Sequence, residues 1–380
     1  MTTETVLTNA RIVLGDEIVD GSVLIRDGRI ADIGSATAAA SEDMNGDYLT
    51  PGLVELHTDH LEGHYAPRPK VRWNPRAAVL AHDAQIAASG ITTVFDALRV
   101  GDHERDDDMA AADMVILADT IQEVAERGLA RADHLIHLRC EVSAPNCIEA
   151  FEGMAERPMV KLASLMDHAP GQRQFADINA YKTYYQGKLG MTDAEFEAFC
   201  SLRISQSEAN SARHRAAISA FAREQGIVLA SHDDATDAHV GEAVSDGVRI
   251  AEFPTTETAA RASHGNGMSV LMGAPNVVRG GSHSGNIAAR SLAEIGVLDI
   301  LSSDYIPFSL MQSAFMLADT VERISLPEAV AMASRNPARA VGLDDRGEIA
   351  AGKRADLVRV QVDGGVPVIR TVWREGRRVV

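Results

Sequence analysis

Eight short apolar runs recur along the chain, and nearly all of them end in a residue able to hold a metal or an anion. They cover 54–59, 91–96, 135–141, 159–168, 227–234, 248–255, 269–276 and 298–304. Between them lie amphipathic stretches with helical periodicity, among them 75–89, 109–127, 206–225 and 326–333. Strand-like runs that alternate with helices predict parallel βαβ units. Eight such units in one block predict a closed (β/α)8 barrel rather than an open, doubly wound sheet, and no glycine-rich dinucleotide or phosphate loop argues otherwise. In such a barrel the downstream strand ends form the face that carries chemistry.

The two ends of the chain read differently. Residues 5–50 alternate apolar and polar positions between turn residues, as antiparallel hairpins do, and 355–360, 366–370 and 372–380 repeat that style. Each end alone has too few strands to be stable. The expected organisation is therefore a composite β-sandwich built from 1–50 and 346–380, beside a barrel of 51–345.

Composition narrows the function. The chain has 46% hydrophobic and 24% charged residues, as soluble globular proteins do. With 54 acidic against 36 basic residues the net charge is −18, which argues against a nucleic-acid binder. An anionic substrate stays open, because clustered arginines and metal ions reverse the potential inside a cleft. Three cysteines, Cys140, Cys147 and Cys200, form no C-x-x-C pair, so neither a disulfide framework nor a cysteine zinc site is indicated. Neither a secretory leader nor a membrane-spanning run is evident, and a cytoplasmic location is expected.

The strand ends offer nitrogen and oxygen ligands. Residues i and i+2 of a strand point the same way, so His57 and Asp59 project together. That pair suits a divalent cation, and its alternative is a buried His–Asp hydrogen bond. His60 and His64 follow and are expected to face the loop. Glu141 closes a strand that also carries His137 and Arg139, polar groups that need satisfying in a site. Glu141 is the preferred bridge between two cations; the alternative is a salt bridge with Arg139. Lys161, also inside a strand, is either a core lysine paired with an acid or a carbamate that binds metal. His168 follows Asp167 at the fourth strand, and His232 precedes Asp233 and Asp234, carboxylates able to orient its imidazole. Asp304 ends the last strand, placed to touch a metal and to accept a proton from water.

Arg68, Lys70, Arg99, Arg139, Arg173 and Arg279 lie in or beside loops after the strands, and guanidinium groups bind phosphate in a bidentate manner. The segment 280–286, with Ser282 and His283, is glycine-rich and opens a helix, where backbone amides favour anions. Surface arginines and glycine turns are common singly; together they point to anion binding.

Specific stretches add a resemblance. Thr50-Pro51-Gly52-Leu53-Val54-Glu55-Leu56-His57, Asn336-Pro337-Ala338-Arg339 and the stretch 347–358 resemble the amidohydrolase superfamily, over essentially the whole chain. Glu55-Leu56-His57-Thr58-Asp59, Arg68-Pro69-Lys70-Val71, the run 273–286 and Ser302-Ser303-Asp304-Tyr305 are similar to the PhnM-type branch of phosphonate metabolism. The resemblance implies a metal-dependent hydrolase on a distorted barrel. The reaction it implies converts α-D-ribose 1-methylphosphonate 5-triphosphate to the 5-phosphate and pyrophosphate. On this reading His57, Asp59, Glu141, His168, His232 and Asp304 hold one or two divalent ions, with Zn expected and Mn or Fe as alternatives. Asp304 is the catalytic base, and Arg68, Lys70, Arg139, Arg173, Arg279, Ser282 and His283 bind the substrate. The chain departs from the superfamily at Asp59, where a second histidine is usual, and at Glu252, where strand six usually carries one; His168 is the candidate replacement. A small phosphorylated sugar is the expected partner, with no nucleic acid or membrane, and a homo-oligomer is expected. The rivals are a C–N hydrolase of the same superfamily (deacetylase, cyclic amidase or deaminase) and a non-catalytic binding member.

Overall fold

The structure, a computed structural model, describes residues 4–34, 41–101, 109–173, 181–182, 186, 190–282 and 285–380. The N-terminal strands are β1 (Glu4–Val13), β2 (Ile18–Arg26), β3 (Arg29–Gly34), β4 (Ser41–Asp43) and β5 (Tyr48–Pro51). Asp27 and Gly28, at φ 49° and 79°, make the two-residue turn between β2 and β3. Positive φ at both positions matches the right-handed twist of the flanking strands, which is why Asp-Gly sits there.

The alternating strands of the two ends share one sheet. β14 (Leu357–Asp363) pairs antiparallel with β5, and β15 (Val366–Arg374) and β16 (Arg377–Arg378) continue the same eight-stranded sheet. Leu7, Ile12, Val23, Ile25, Leu49, Leu357 and Trp373 share its buried core. Neither end completes that core alone.

The eight apolar runs become β6 (Leu53–Thr58), β7 (Ile91–Val100), β8 (Asp133–Glu141), β9 (Val160–Met166), β10 (Val228–His232), β11 (Ile250–Glu252), β12 (Ser269–Gly273) and β13 (Ile300–Ser302). They lie in one sheet in chain order, and a bridge between Thr58 and Asp304 brings the last strand to the first. This is the (β/α)8 barrel. Every residue of β6 is buried, as expected of a parallel strand covered on both faces. Among the described residues no helix is long and apolar enough to cross a membrane.

The chain divides into two compact units. One comprises Met1–Asp96, Thr120–Leu135 and Met272–Val380; the other comprises Ala97–Asp119 and Ile136–Leu271. In the second, a helix of 33 residues, Asp193–Gln225, starts at a capping box of Thr192 and Glu195 and ends at Gly226, φ 69°. It fastens two strand ends. Ser207 and Ser211 each donate to Asp167 Oδ2 at 2.7 Å, and Asn210 and His214 bond the carbonyls of Ser143 and Val142.

Candidate active site

In the first unit, the ends of β6 and β13 are tied by a carboxylate that sequence reasoning passed over. Glu55 is fully buried and accepts from the His57 amide at 2.6 Å, the Ser302 hydroxyl at 2.6 Å and the Ser303 amide at 2.5 Å. Burial pushes its pKa up to about 7 in spite of these hydrogen bonds. Ser302 Oγ also lies 2.8 Å from the His57 carbonyl and accepts from the Asp304 amide at 3.2 Å. Glu55 and Ser302 therefore fix the backbone beneath His57 and Asp304. Asp304 is half-buried with φ 54°, a left-handed backbone that non-glycine residues adopt where surrounding contacts impose it. Asp59 sits at the N-cap of α1 (His60–Tyr65), half-buried. The exposed Arg68 and Lys70 follow that helix. Arg279 is exposed in the last turn of the helix Ala274–Arg279 and Ser282 is half-buried beyond it, while His283 lies outside the described residues.

In the second unit, three of the expected ligands, Glu141, His168 and His232, meet around Asp233. His168 Nδ1 is 2.6 Å from Glu141 Oε2, and the His168 amide donates to Glu141 Oε1 at 3.2 Å. His168 Nε2 is 3.8 Å from Asp233 Oδ2, and His232 Nε2 is 3.5 Å from that same oxygen. His232 Nδ1 is 3.2 Å from Glu252 Oε2. His168, His232 and Asp233 thus offer ligand atoms all within 4.8 Å of one another. Each imidazole has a carboxylate on its other nitrogen, the outer-shell arrangement that fixes tautomer and ring orientation in metal sites. Two imidazoles and a carboxylate form a donor set that fits a divalent ion such as Zn.

The electrostatics follow from this crowding. Burial raises the Asp233 carboxyl to about 7, partly opposed by His168. Burial disfavours charge on His168, but Glu141 and Asp233 outweigh it and raise its pKa. Glu141 is held low, as His168 and Ser143 overcome its own desolvation. The half-buried Arg139 acts on the same groups, lowering both His168 and Asp233.

Several expected residues have the following surroundings. Glu141, read as a bridge between cations, stands with Oε2 2.6 Å from His168 Nδ1. Asp233, read as an outer partner of His232, stands with φ 57° and its carboxylate between two imidazoles. Arg173, read as a substrate-binding group, is buried and engaged by Asp234 and by Glu242, the latter at 2.6 Å. Lys161 is exposed at the start of β9, which removes both readings offered for it. Glu252, in place of the usual strand-six histidine, is the carboxylate behind His232. His60 and His64, expected to face the loop, belong to α1.

The family model for the amidohydrolase family matches residues 48–379. The chain is 48% identical to the α-D-ribose 1-methylphosphonate 5-triphosphate diphosphatase of Escherichia coli strain K12, over 98% of this chain and 100% of that protein. It is 25% identical to an imidazolonepropionase of Deinococcus deserti, over 95% of this chain and 92% of the relative. Among solved structures, a 5-methylcytosine deaminase from Klebsiella pneumoniae superposes with a TM-score of 0.66 at 15% identity, covering 100% of this chain and 98% of that one. The N-acetylglucosamine-6-phosphate deacetylase from Pasteurella multocida gives 0.62 at 13% identity, with 99% of each chain covered. At these identities the structures speak for the fold alone.

Proposed function

Because the chain belongs to the amidohydrolase family, we propose that it is a metal-dependent hydrolase of α-D-ribose 1-methylphosphonate 5-triphosphate. The products are ribose 1-methylphosphonate 5-phosphate and pyrophosphate. The observation that carries this choice over amide hydrolysis is the 48% identity to a triphosphate diphosphatase along its whole length. The imidazolonepropionase relative stands far lower, at 25% identity.

His168 Nε2, His232 Nε2 and the Asp233 carboxylate are the proposed donors for a divalent ion, with Glu141 and Glu252 orienting the imidazoles. The resemblance adds His57, Asp59 and Asp304 to the groups serving the reaction. When bound, such an ion lowers the pKa of a water and offsets phosphate charge. The chain's own residues then do three things. Asp304, held by Ser302, accepts the proton of the water that attacks the α-phosphorus in line. Arg139 places a fixed positive charge beside Asp233 and His168, so that a polyanion is tolerated among carboxylates. Arg68, Lys70 and Arg279, on exposed segments, contact the outer phosphates. Attack at the α-phosphorus expels pyrophosphate as the leaving group.

The test is product analysis. Metal-loaded protein should release pyrophosphate from the ribose triphosphate and no amine or ammonia from N-acetyl sugars, cyclic amides or aminopyrimidines. Asp304→Asn should abolish that release with metal content unchanged. Amine release without pyrophosphate would assign the chain to the C–N hydrolases instead.

A further inference from the structure

A second imidazole cluster lies in the first unit, built from residues that the proposed reaction does not use. His60 and His64 stand four residues apart in α1 and so share one side of the helix. The helix α2 (Pro75–Ala88) brings His82 to them. The ring centroids are 5.1 Å apart for His60–His64, 6.0 Å for His60–His82 and 5.9 Å for His64–His82.

His82 is fixed from behind. It is fully buried, and its Nε2 lies 2.7 Å from Asp96 Oδ1. The other oxygen of Asp96 holds His134 Nδ1 at 2.7 Å, and His134 Nε2 reaches Asp83 at 3.4 Å. With a carboxylate oxygen facing each ring nitrogen, His134 donates from both. Asp96 in turn accepts Nε2–H of His82, which leaves the His82 lone pair on Nδ1. That nitrogen is buried and has no hydrogen-bond partner, and the same holds for His64 Nε2. Buried polar atoms left without a partner call for an explanation, an unrecorded ion among them.

We propose that His60, His64 and His82 form a binding site for one divalent transition-metal ion of the Zn class, with Asp96 as the carboxylate that orients His82. The pattern is the carboxylate–histidine–metal arrangement: one ring nitrogen donates to a carboxylate while the other faces the ion. A tetrahedral ion about 2.0–2.1 Å from three imidazole nitrogens sets the ring centroids roughly 5 Å apart. The His60–His64 pair already stands at that spacing, and His82 needs to close by roughly 1 Å. His60 and His64 are half-buried, which gives an ion a way in. His82, Asp96 and His134 form a different group, with three ligand atoms within 4.8 Å of one another. Those atoms already hydrogen-bond one another, so that group is a closed network and the cation belongs on the opposite edge of His82.

The test uses the full-length protein without substrate, so it stands or falls separately from the hydrolase reading. Protein stripped by chelator is reloaded with Co2+, passed through a desalting column and assayed for bound cobalt and visible absorption. The expected result is one equivalent fewer in His64→Gln and in His60→Gln than in the unaltered protein, with one component of the cobalt spectrum lost and circular dichroism unchanged. Both substitutions fall on half-buried positions, so the fold should survive either. Equal cobalt content and identical spectra in all three proteins would overturn the site.

Discussion

His168 Nδ1 and Glu141 Oε2 stand 2.6 Å apart, which joins the ends of β8 and β9 and turns the other nitrogen of His168 toward Asp233. Glu141→Gln keeps the shape and removes the charge that orients the ring. Loss of an outer-shell carboxylate of this kind costs about 10–100-fold in metal affinity or activity. We expect a fall of that size in kcat/KM with the melting temperature nearly unchanged. A rate and metal content equal to those of the parent would show that Glu141 has no such part.

Two arginines expected to do the same work should part company. Arg139 lies among the site's titrating groups, and removing a hydrogen bond to a charged group costs about 1.5–3 kcal/mol. Arg139→Ala should thus lower kcat/KM for the triphosphate about 10–100-fold with little change in stability. Arg173→Ala strands the buried Asp234 carboxylate and should destabilise the fold by about 3–5 kcal/mol. Denaturant unfolding beside steady-state kinetics separates the two, and the reverse pattern would exchange their roles.

What the sequence made legible was mostly periodic. All eight barrel strands fall where continuous apolar runs stand, and α2 begins and ends within a residue of its predicted span because Asn74 and Pro75 mark its start. The helix predicted over 206–225 in fact begins at Asp193. Its first half lacks a strong apolar stripe, although Thr192 and Glu195 carry the capping signal. Long-range pairing was not legible. Nothing local distinguishes Glu55 from any buried glutamate until Ser302 and Ser303 arrive from the far end of the chain. Asp233 looks like a helper of His232 until β9 brings His168 to it. His82, Asp96 and His134 each pass for ordinary helix or strand residues, since their meeting depends on helix-to-strand packing.

The buried Asp96–His134–Asp83 network should leave a mark on stability against pH. His134 is raised from an unfolded value of about 6.5 to about 10, so its contribution is complete below about 6.5 and disappears as pH climbs toward 10. Asp96 is held well below the usual carboxylate range, as burial is outweighed by the two histidines, so its contribution is present above about 3.9 and is lost only in stronger acid. His134→Asn should cost about 3–5 kcal/mol near pH 6 and flatten the alkaline decline. Denaturant titrations between pH 6 and 10 read both effects, and an unchanged slope in the variant would remove His134 from the network.

Glu55→Ala withdraws the acceptor of two buried amides and a hydroxyl. Each stranded donor costs about 1–3 kcal/mol, so the variant should be markedly less stable in guanidinium, and Glu55→Gln less severely affected. Equal stability of Glu55→Ala and the parent would show that the strand ends are held some other way.

The central claim is that water attacks the α-phosphorus of a sugar triphosphate in a metal-dependent reaction. Turnover in 18O-water by metal-loaded protein tests it most directly, with the chelator-treated protein alongside. The account predicts one 18O atom in ribose 1-methylphosphonate 5-phosphate, unlabelled pyrophosphate, and no turnover after chelation. Label in the pyrophosphate, or undiminished turnover without metal, would contradict it.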